Sequence, residues 1–427
     1  MSALATEAYA MQQDARDPLA GFRDEFLIPR HHDGAEQLYF CGNSLGLQPA
    51  GTRAALIQEL DDWRDLGVEG HFRGRHPWMP YHGFVRDHLA EVAGALPSEV
   101  VAMNTLTTNL HLMMVSFYRP SAERPAILIE QHAFPSDRHA VESQIRFHGF
   151  DPADCLIEVA GDEADGTISA AAIERAITQH GARLALVLWP GVQYLSGQNF
   201  DLKTIALQAH RVGAVAGFDL AHAIGNVEVN LHTADADFAV WCSYKYLNAG
   251  PGAIAGCFVH ERHAHSERPR FAGWWGHDQA TRFQMRPEFV ATPGADGWQL
   301  SNPSIFALAP LRSSLEVFHR ASIKQLRQKS LRLTDYLADL LQQRVAPLID
   351  VRTPLESSRR GAQLSLRVKG SRDIGKALFE YLTTRGIVAD WREPDIIRVA
   401  PTPLYNRFSD CLRLVQHIEQ FAGIAPI

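Results

Sequence analysis

Between about residues 84 and 260, short apolar runs alternate with longer amphipathic segments. The runs Ala126–Glu130, Cys155–Val159, Leu184–Trp189, Ala214–Phe218, Ala239–Cys242 and Ile254–Val259 read as buried strands. The segments Ser136–His148, Ala170–His180 and Leu202–Val212 place apolar residues at helical spacing. This alternation predicts an α/β fold with a mainly parallel sheet and helices on both faces. The Gly250-Pro251-Gly252 turn before Ile254 is short. It predicts an antiparallel last strand, because a parallel neighbour needs a longer crossover.

The flanks are less regular. Residues 1–50 predict only a short helix near Pro18 to Phe26, followed by the turn-rich Cys41-Gly42-Asn43-Ser44-Leu45-Gly46. An amphipathic helix is expected from Gly51 to about Leu66. Residues 67–83 mix His, Arg, Trp and Pro, which suits a loop lining a pocket. A second irregular stretch, 266–310, carries Phe271, Trp274, Trp275, Phe283 and Trp298. From Leu311 to Val345 one long amphipathic pattern sets Leu326, Leu333, Leu337 and Leu340 on one side. Beyond it, strands at Ala362–Val368 and Ile396–Ala400 alternate with helices at Asp373–Arg385 and Ser409–Gly423. The expected division is an N-terminal segment, 1–50, packing on a small domain; a large domain, 51–310; and a linking helix with a small C-terminal α/β domain, 311–427.

Composition narrows the function classes. The chain has 427 residues, 46% of them hydrophobic and 21% charged, which suits a globular enzyme of unequal domains. The formal charge, 41 − 48 = −7, opposes a nucleic-acid partner held by phosphate contacts. Five scattered cysteines, Cys41, Cys155, Cys242, Cys257 and Cys411, form no C-x-x-C pair and read as reduced thiols of a cytoplasmic protein. The first residues lack a basic segment ahead of an apolar one, so no secretory signal is expected. No apolar run reaches about 18 residues, so no membrane span is expected either.

Chemistry concentrates where predicted strands end. Asp219 ends one apolar run, and Lys245 follows another, Phe238 to Cys242. Open α/β sheets place ligands at such ends. An aspartate and a lysine there are the pair that pyridoxal phosphate (PLP) needs. The amine holds the cofactor, and the carboxylate keeps its pyridine nitrogen protonated so that the ring draws electrons. Directly after the strand Ala126–Glu130, Phe134 can stack on a ring, and Asp137 adds a second negative charge. The segment Asn104 to Leu110 opens a predicted helix whose N–H groups and hydroxyls suit a phosphate. Tyr244 can donate a further hydrogen bond to it.

Two motifs are set aside. Gly250 to Ala255 matches a dinucleotide fingerprint, but a strand rather than a helix follows it. His260-Glu261-Arg262-His263-Ala264-His265 lacks the second histidine of H-E-x-x-H and reads as a solvated polar turn, so no metal is expected.

With these residues in place, the sequence resembles the kynureninase family. The segments YFCGNSLGLQP, VEGHF, HAFPSD, GFDLAHAIGN, WCSYKYLNAGPG, GWWGH and IIRVAPTPLYN occur in that order across nearly the whole chain. The resemblance implies the PLP-dependent aminotransferase fold type I, with a sheet of the seven-stranded type and a small C-terminal α/β domain. It implies PLP bound by Lys245 with Asp219 at the pyridine nitrogen and His222 beside them. Phe134, Pro135, Ser136 and Asp137 match the ring-lid segment, and Leu106 and Thr107 the phosphate loop. Tyr244, Trp274 and Asn302 match further cofactor contacts, the last two reaching in from a second subunit of a homodimer. Arg398 falls where the substrate α-carboxylate is held, and a guanidinium fork suits that planar anion. Pro190 stands where some relatives carry a polar side chain, so the Gly191 backbone is expected in its place.

The implied reaction is hydrolysis of kynurenine, or its 3-hydroxy form, to an anthranilate and L-alanine. Lys245 would take the Cα proton, water would add to the γ-carbonyl, and Tyr244 would be the donor to the oxyanion formed there. His71, Ser301 and Asn302 match polar positions of relatives that favour 3-hydroxykynurenine. Within the same fold, a cysteine desulfurase-like lyase needs a mobile late cysteine, and only Cys411 is late. An aminotransferase would carry the same carboxylate-binding arginine.

Overall fold

The computed structural model describes residues 5–163 and 165–423. A seven-stranded sheet is built from β1 (Val100–Ala102), β2 (Ala126–Glu130), β3 (Leu156–Val159), β4 (Leu184–Pro190), β5 (Val215–Asp219), β6 (Phe238–Trp241) and β7 (Gly256–Val259). Their order is β1-β7-β6-β5-β4-β2-β3. Neighbours from β3 through β6 run parallel, while β7 pairs antiparallel with both β6 and β1. Strands β2, β5 and β6 are almost wholly buried, because helices cover both faces. Glycines set two close approaches in the middle. A Cβ on Gly217 would stand 2.2 Å from the Phe238 ring, and one on Gly256 would stand 2.1 Å from Trp241. Large aromatics on β6 thus fill the space that the small residues of β5 and β7 leave.

A second sheet contains β8 (Ile349–Val351), β9 (Leu364–Val368), β10 (Asp390–Arg392) and β11 (Ile396–Val399) in the order β8-β9-β11-β10, all antiparallel. It packs its own core, which includes Leu364, Leu366, Ile397, Leu378 and Leu414.

The long pattern predicted as one helix is two. One spans Ile305–Ala321 and the next Ile323–Arg344. Ser322 between them has φ 62°. Its N–H still closes the first helix on the Phe318 carbonyl (2.8 Å), and its carbonyl opens the second by accepting from Leu326 (3.0 Å). The apolar spacing runs through this break undisturbed, and serine carries no breaker signal like Gly or Pro.

The N-terminal stretch is more ordered than its pattern predicts. A helix covers Glu7–Ala15 and buries only Ala10, so it lacks an apolar stripe to announce it. Ala10 and Tyr9, whose ring lies 5.7 Å from that of Tyr336, pack on the C-terminal core, and polar contacts add to this. The Asp14 carboxylate accepts from the Phe408 and Ser409 N–H groups (2.7 and 3.2 Å) and so caps the helix Phe408–Phe421. Asp17 pairs with the buried Lys329 at 2.6 Å. Leu38–Tyr39 then pairs in parallel with Ile387–Val388.

The His260–His265 segment is not a solvated turn. His260 and His263 are buried, and His263 Nε2 lies 2.8 Å from Asp237. Burial alone would raise Asp237, but hydrogen bonds from His210 and His263 hold its carboxyl far below the ordinary range. His260 Nδ1 accepts from the Arg262 N–H (3.2 Å), and Glu99 accepts from the Glu261 N–H (2.8 Å). These polar side chains have partners inside the fold rather than in water. Among the described residues, no helix is long and apolar enough to cross a membrane.

Candidate active site

Three adjacent strands deliver their last residues to one rim: Glu130 from β2, Pro190 from β4 and Asp219 from β5. Lys245 reaches the same rim from the turn after β6. That turn is braced from within by the Asn248 N–H donating to the Lys245 carbonyl (3.0 Å) and the Ala249 N–H donating to Ser243 (3.0 Å). It is braced from outside by the Cys41–Gly46 loop, whose Gly46 N–H donates to the Tyr244 carbonyl (2.8 Å). A Cβ on Gly46 would stand 2.4 Å from the Lys245 carbonyl oxygen, so the loop can approach this closely only as glycine.

A cavity opens between these groups. Leu106, Thr107, Phe134, Ser136, Asp137, Asp219, His222, Tyr244 and Lys245 all line it, as the sequence predicts. Pro135 sits between two of them, at the first turn of the helix Pro135–Phe147. Lys245 Nζ lies 3.1 Å from His222 Nε2 and 5.9 Å from the ring centres of both Phe134 and Tyr244. Asp219 Oδ1 accepts from the Ala221 N–H at 2.6 Å, which fixes the carboxylate.

The electrostatics of this cavity are unbalanced. Burial pushes the Asp137 carboxyl well above its ordinary value, and the adjoining Asp219 pushes it further. Burial also raises Asp219, while the Ala221 N–H and Lys245 pull it back. The pair therefore shares one proton, held on Asp137 and donated to Asp219. Burial raises Glu130 to about 8, with Asp219 adding to the effect. Burial and then Lys245 hold His222 well below its usual range, so it is a neutral imidazole. Its Nδ1 is buried with no partner among the described residues. Tyr244 is raised first by burial and then by Cys242, and stays a phenol able to donate.

Two helices aim their first turns at the cavity. They are Leu106–Phe117 and Pro135–Phe147, and neither N-cap side chain bonds into its turn. Thr107 Oγ1 and Ser136 Oγ meet at 2.8 Å between them. Uncapped N–H groups with hydroxyls form an anion cradle.

These residues fit PLP. The acid pair has no salt-bridge partner among the described residues and feels only the charge of Lys245; a pyridinium N–H would supply a cation facing it. Phe134 offers a ring face, the helix starts offer a phosphate cradle, and Lys245 offers the amine. The excess of carboxyls over bases is otherwise unexplained in a buried pocket.

Other predicted residues are not brought to this cavity within one chain. His71 is half-buried with its ring edge-on to Trp78 at 5.5 Å. Trp274 is 42% exposed, and its Nε1 donates to the Arg282 carbonyl (3.2 Å). Ser301 and Asn302 are exposed. Arg398 is buried beneath the rim, where its Nη1 donates to the carbonyl of the cavity residue Tyr194 (2.7 Å).

Sequence reasoning passed over Glu130, Val192, Tyr194 and Cys242, which also line the cavity. Glu130 ends a strand run, and a carboxyl closing an apolar strand was the available signal. Tyr194, edge-on to Phe134 at 5.2 Å, gave none, because its loop has no periodicity. The Gly191 backbone does not take over at Pro190. Its N–H donates to the Asp219 carbonyl (2.8 Å), and its carbonyl accepts from Phe200 (3.1 Å). The N–H holds the end of β5 against the β4 exit, and the carbonyl holds the loop that returns at Phe200.

Comparison with known proteins matches this geometry. The family profile described as the kynureninase C-terminal domain matches residues 326–418. The chain is 61% identical to a kynureninase of Stenotrophomonas maltophilia over 425 residues, covering 99% of this chain and 100% of that one. It is also 61% identical to a kynureninase of Xanthomonas campestris over 418 residues, 98% of each. The chain belongs to the kynureninase family. Its backbone resembles that of the cysteine desulfurase of Thermococcus onnurineus with TM-score 0.72 at 16% identity, covering 91% of this chain and 95% of that one. It also resembles a C-DES variant with glycine covalently linked to its PLP cofactor, with TM-score 0.74 at 16% identity over 92% of this chain and 98% of that one. The fold is the PLP-dependent aminotransferase fold type I, and PLP is the cofactor of this kynureninase-family chain.

The acid pair has a thermodynamic signature in the apoprotein. Between the unfolded carboxylate value near 4 and the raised native value, the native state holds a proton that the unfolded state releases. Its stability therefore falls as pH rises through that window. Asp137→Asn removes the group, so apoprotein carrying it should melt higher than wild type at pH 7, with a flatter decline above about pH 4. Thermal unfolding across pH checks this, and a lower melting temperature at pH 7 would contradict it.

Proposed function

We propose that the chain hydrolyses 3-hydroxy-L-kynurenine in preference to L-kynurenine, releasing 3-hydroxyanthranilate and L-alanine. The kynureninase activity itself, cleavage of the Cβ–Cγ bond, follows from family membership. The observation that carries the site assignment is Lys245 Nζ, 3.1 Å from the buried His222 Nε2, in one cavity with Asp219 and Asp137.

When bound, PLP supplies an electron-poor ring conjugated to the substrate amine. Asp219 would accept the pyridine N–H, and Asp137 would steady Asp219 through the shared proton. Phe134 would cover one ring face, while Thr107, Ser136 and the two helix starts would take the phosphate. The Lys245 amine would remove the proton from Cα, with His222 Nε2 holding its Nζ in line. Water then adds to the γ-carbonyl, and the Tyr244 hydroxyl donates to the oxygen that becomes negative. Arg398 takes the α-carboxylate.

The exposed Trp274, Ser301 and Asn302 have a role in a homodimer, in which one protomer completes the pocket of its partner. His71, Ser301 and Asn302 then supply polar contacts to the ring hydroxyl. In this reading residues 51–310 hold the cofactor, and residues 311–427, with the N-terminal segment packed on them, bring Arg398. All five cysteines are buried and unpaired, which fits a cytoplasmic protein and opposes desulfurase chemistry through a mobile Cys411.

Parallel assays of the PLP-loaded protein test the specificity. Alanine release with 3-hydroxykynurenine should exceed that with kynurenine by about tenfold or more in kcat/KM, and Asn302→Ala should shrink the ratio. Equal values for both substrates would remove the specificity while leaving the activity. Tyr244→Phe should lower kcat by about 10²-fold, as loss of one oxyanion donor does, with the cofactor still bound. Undiminished turnover would remove Tyr244 from that role.

A further inference from the structure

Arg398 on β11 and Asp390 on β10 face each other in register. Directly opposed side chains on an antiparallel pair meet without reaching. Asp390 Oδ1 accepts from Arg398 Nε at 2.9 Å and lies 2.8 Å from Nη2, so it covers one edge of the guanidinium. The Tyr194 carbonyl accepts from Nη1 at 2.7 Å. A guanidinium has five N–H groups. These contacts leave one free on Nη1 and one free on Nη2. A carboxylate binds such a pair through its two oxygens. Arg398 is 1% exposed, so it has no room to reorient through solvent.

The charge count points the same way. Arg392 also binds Asp390, with Nη2 donating to Oδ2 at 3.1 Å and Nε 2.9 Å from Oδ1. Two guanidiniums thus share one carboxylate. The cluster keeps an uncompensated positive charge next to Tyr194, whose side chain lines the cofactor cavity. Burial lowers the Arg398 pKa, and Asp390 opposes that effect.

We propose that Asp390 is a positioning residue for recognition of the substrate α-carboxylate. It locks one edge of Arg398, the Tyr194 carbonyl locks Nη1, and the two remaining N–H groups form the receptor. Asp390 does not touch the substrate; it acts through Arg398. The inference rests on the assignment of Arg398 to the α-carboxylate.

Steady-state kinetics of PLP-loaded Asp390→Ala, Asp390→Glu, Asp390→Asn and Arg398→Lys test it, together with inhibition by L-alanine and by the decarboxylated amine of the substrate. Asp390→Ala should raise KM and weaken L-alanine about tenfold or more, because a displaced binding group loses affinity steeply. Its kcat should stay within about threefold, and its cofactor absorbance and its affinity for the decarboxylated amine should not change. Asp390→Glu keeps the charge but shifts it by a methylene, and should raise KM by a smaller factor; it carries the test if the alanine variant does not fold. Asp390→Asn keeps an acceptor oxygen and should recover most of the loss. If Asp390→Ala and Asp390→Glu leave KM and L-alanine affinity unchanged while Arg398→Lys raises KM, the positioning role is overturned. If Arg398→Lys also leaves KM unchanged, the assignment of Arg398 fails instead.

Discussion

Three carboxyl groups and one lysine amine share a cavity at the ends of parallel strands. Carboxylates kept from water without partners are costly, so Asp137 and Asp219 share a proton. A cationic ring restores the balance, and the rest of the site is arranged around where that ring lies. Phe134 lines the same cavity, Lys245 and His222 meet at 3.1 Å within it, and the first residues of two uncapped helices line it as well.

The scaffold makes this imbalance tolerable. Asp219 and Glu130 are the last residues of strands buried on both faces. Lys245 stands in a turn clamped by its own backbone bonds and by the Gly46 loop. That loop comes from the N-terminal segment, which is itself tied to the C-terminal helices through Asp14, Asp17 and the Leu38–Tyr39 pairing. Strands carrying Arg398 and the lysine turn are therefore linked through the first fifty residues as well as through the helix pair that joins the two sheets. Arg398 and Lys245, to which the proposed function gives the substrate carboxylate and the cofactor, are thus braced by the same segment.

Much of this was legible in the chain because burial leaves a direct trace. Strands covered on both faces are continuous apolar runs, and the residues that end them, Asp219 above all, stand out as breaks in the run. The ordered motifs also pointed to Leu106, Thr107 and Ser136, which line the cavity. Three kinds of feature left no such trace. Ser322 breaks a helix without disturbing its apolar period, and Glu7–Ala15 lacks an apolar stripe to announce it. The pairing of Asp390 with Arg398 depends on strand register, which no local pattern encodes. Trp274 and Asn302 lie exposed on the single chain and outside its cavity, so the part proposed for them requires a second copy.

The central claim is that the amine of Lys245, among all the lysines, holds the cofactor against the acid pair. Borohydride reduction of the PLP-loaded protein, followed by proteolysis and mass spectrometry, addresses it most directly. The account predicts a reduced phosphopyridoxyl group on the peptide containing Lys245 and on no other. A label on a different lysine, or a bound cofactor that borohydride leaves unattached, would contradict it.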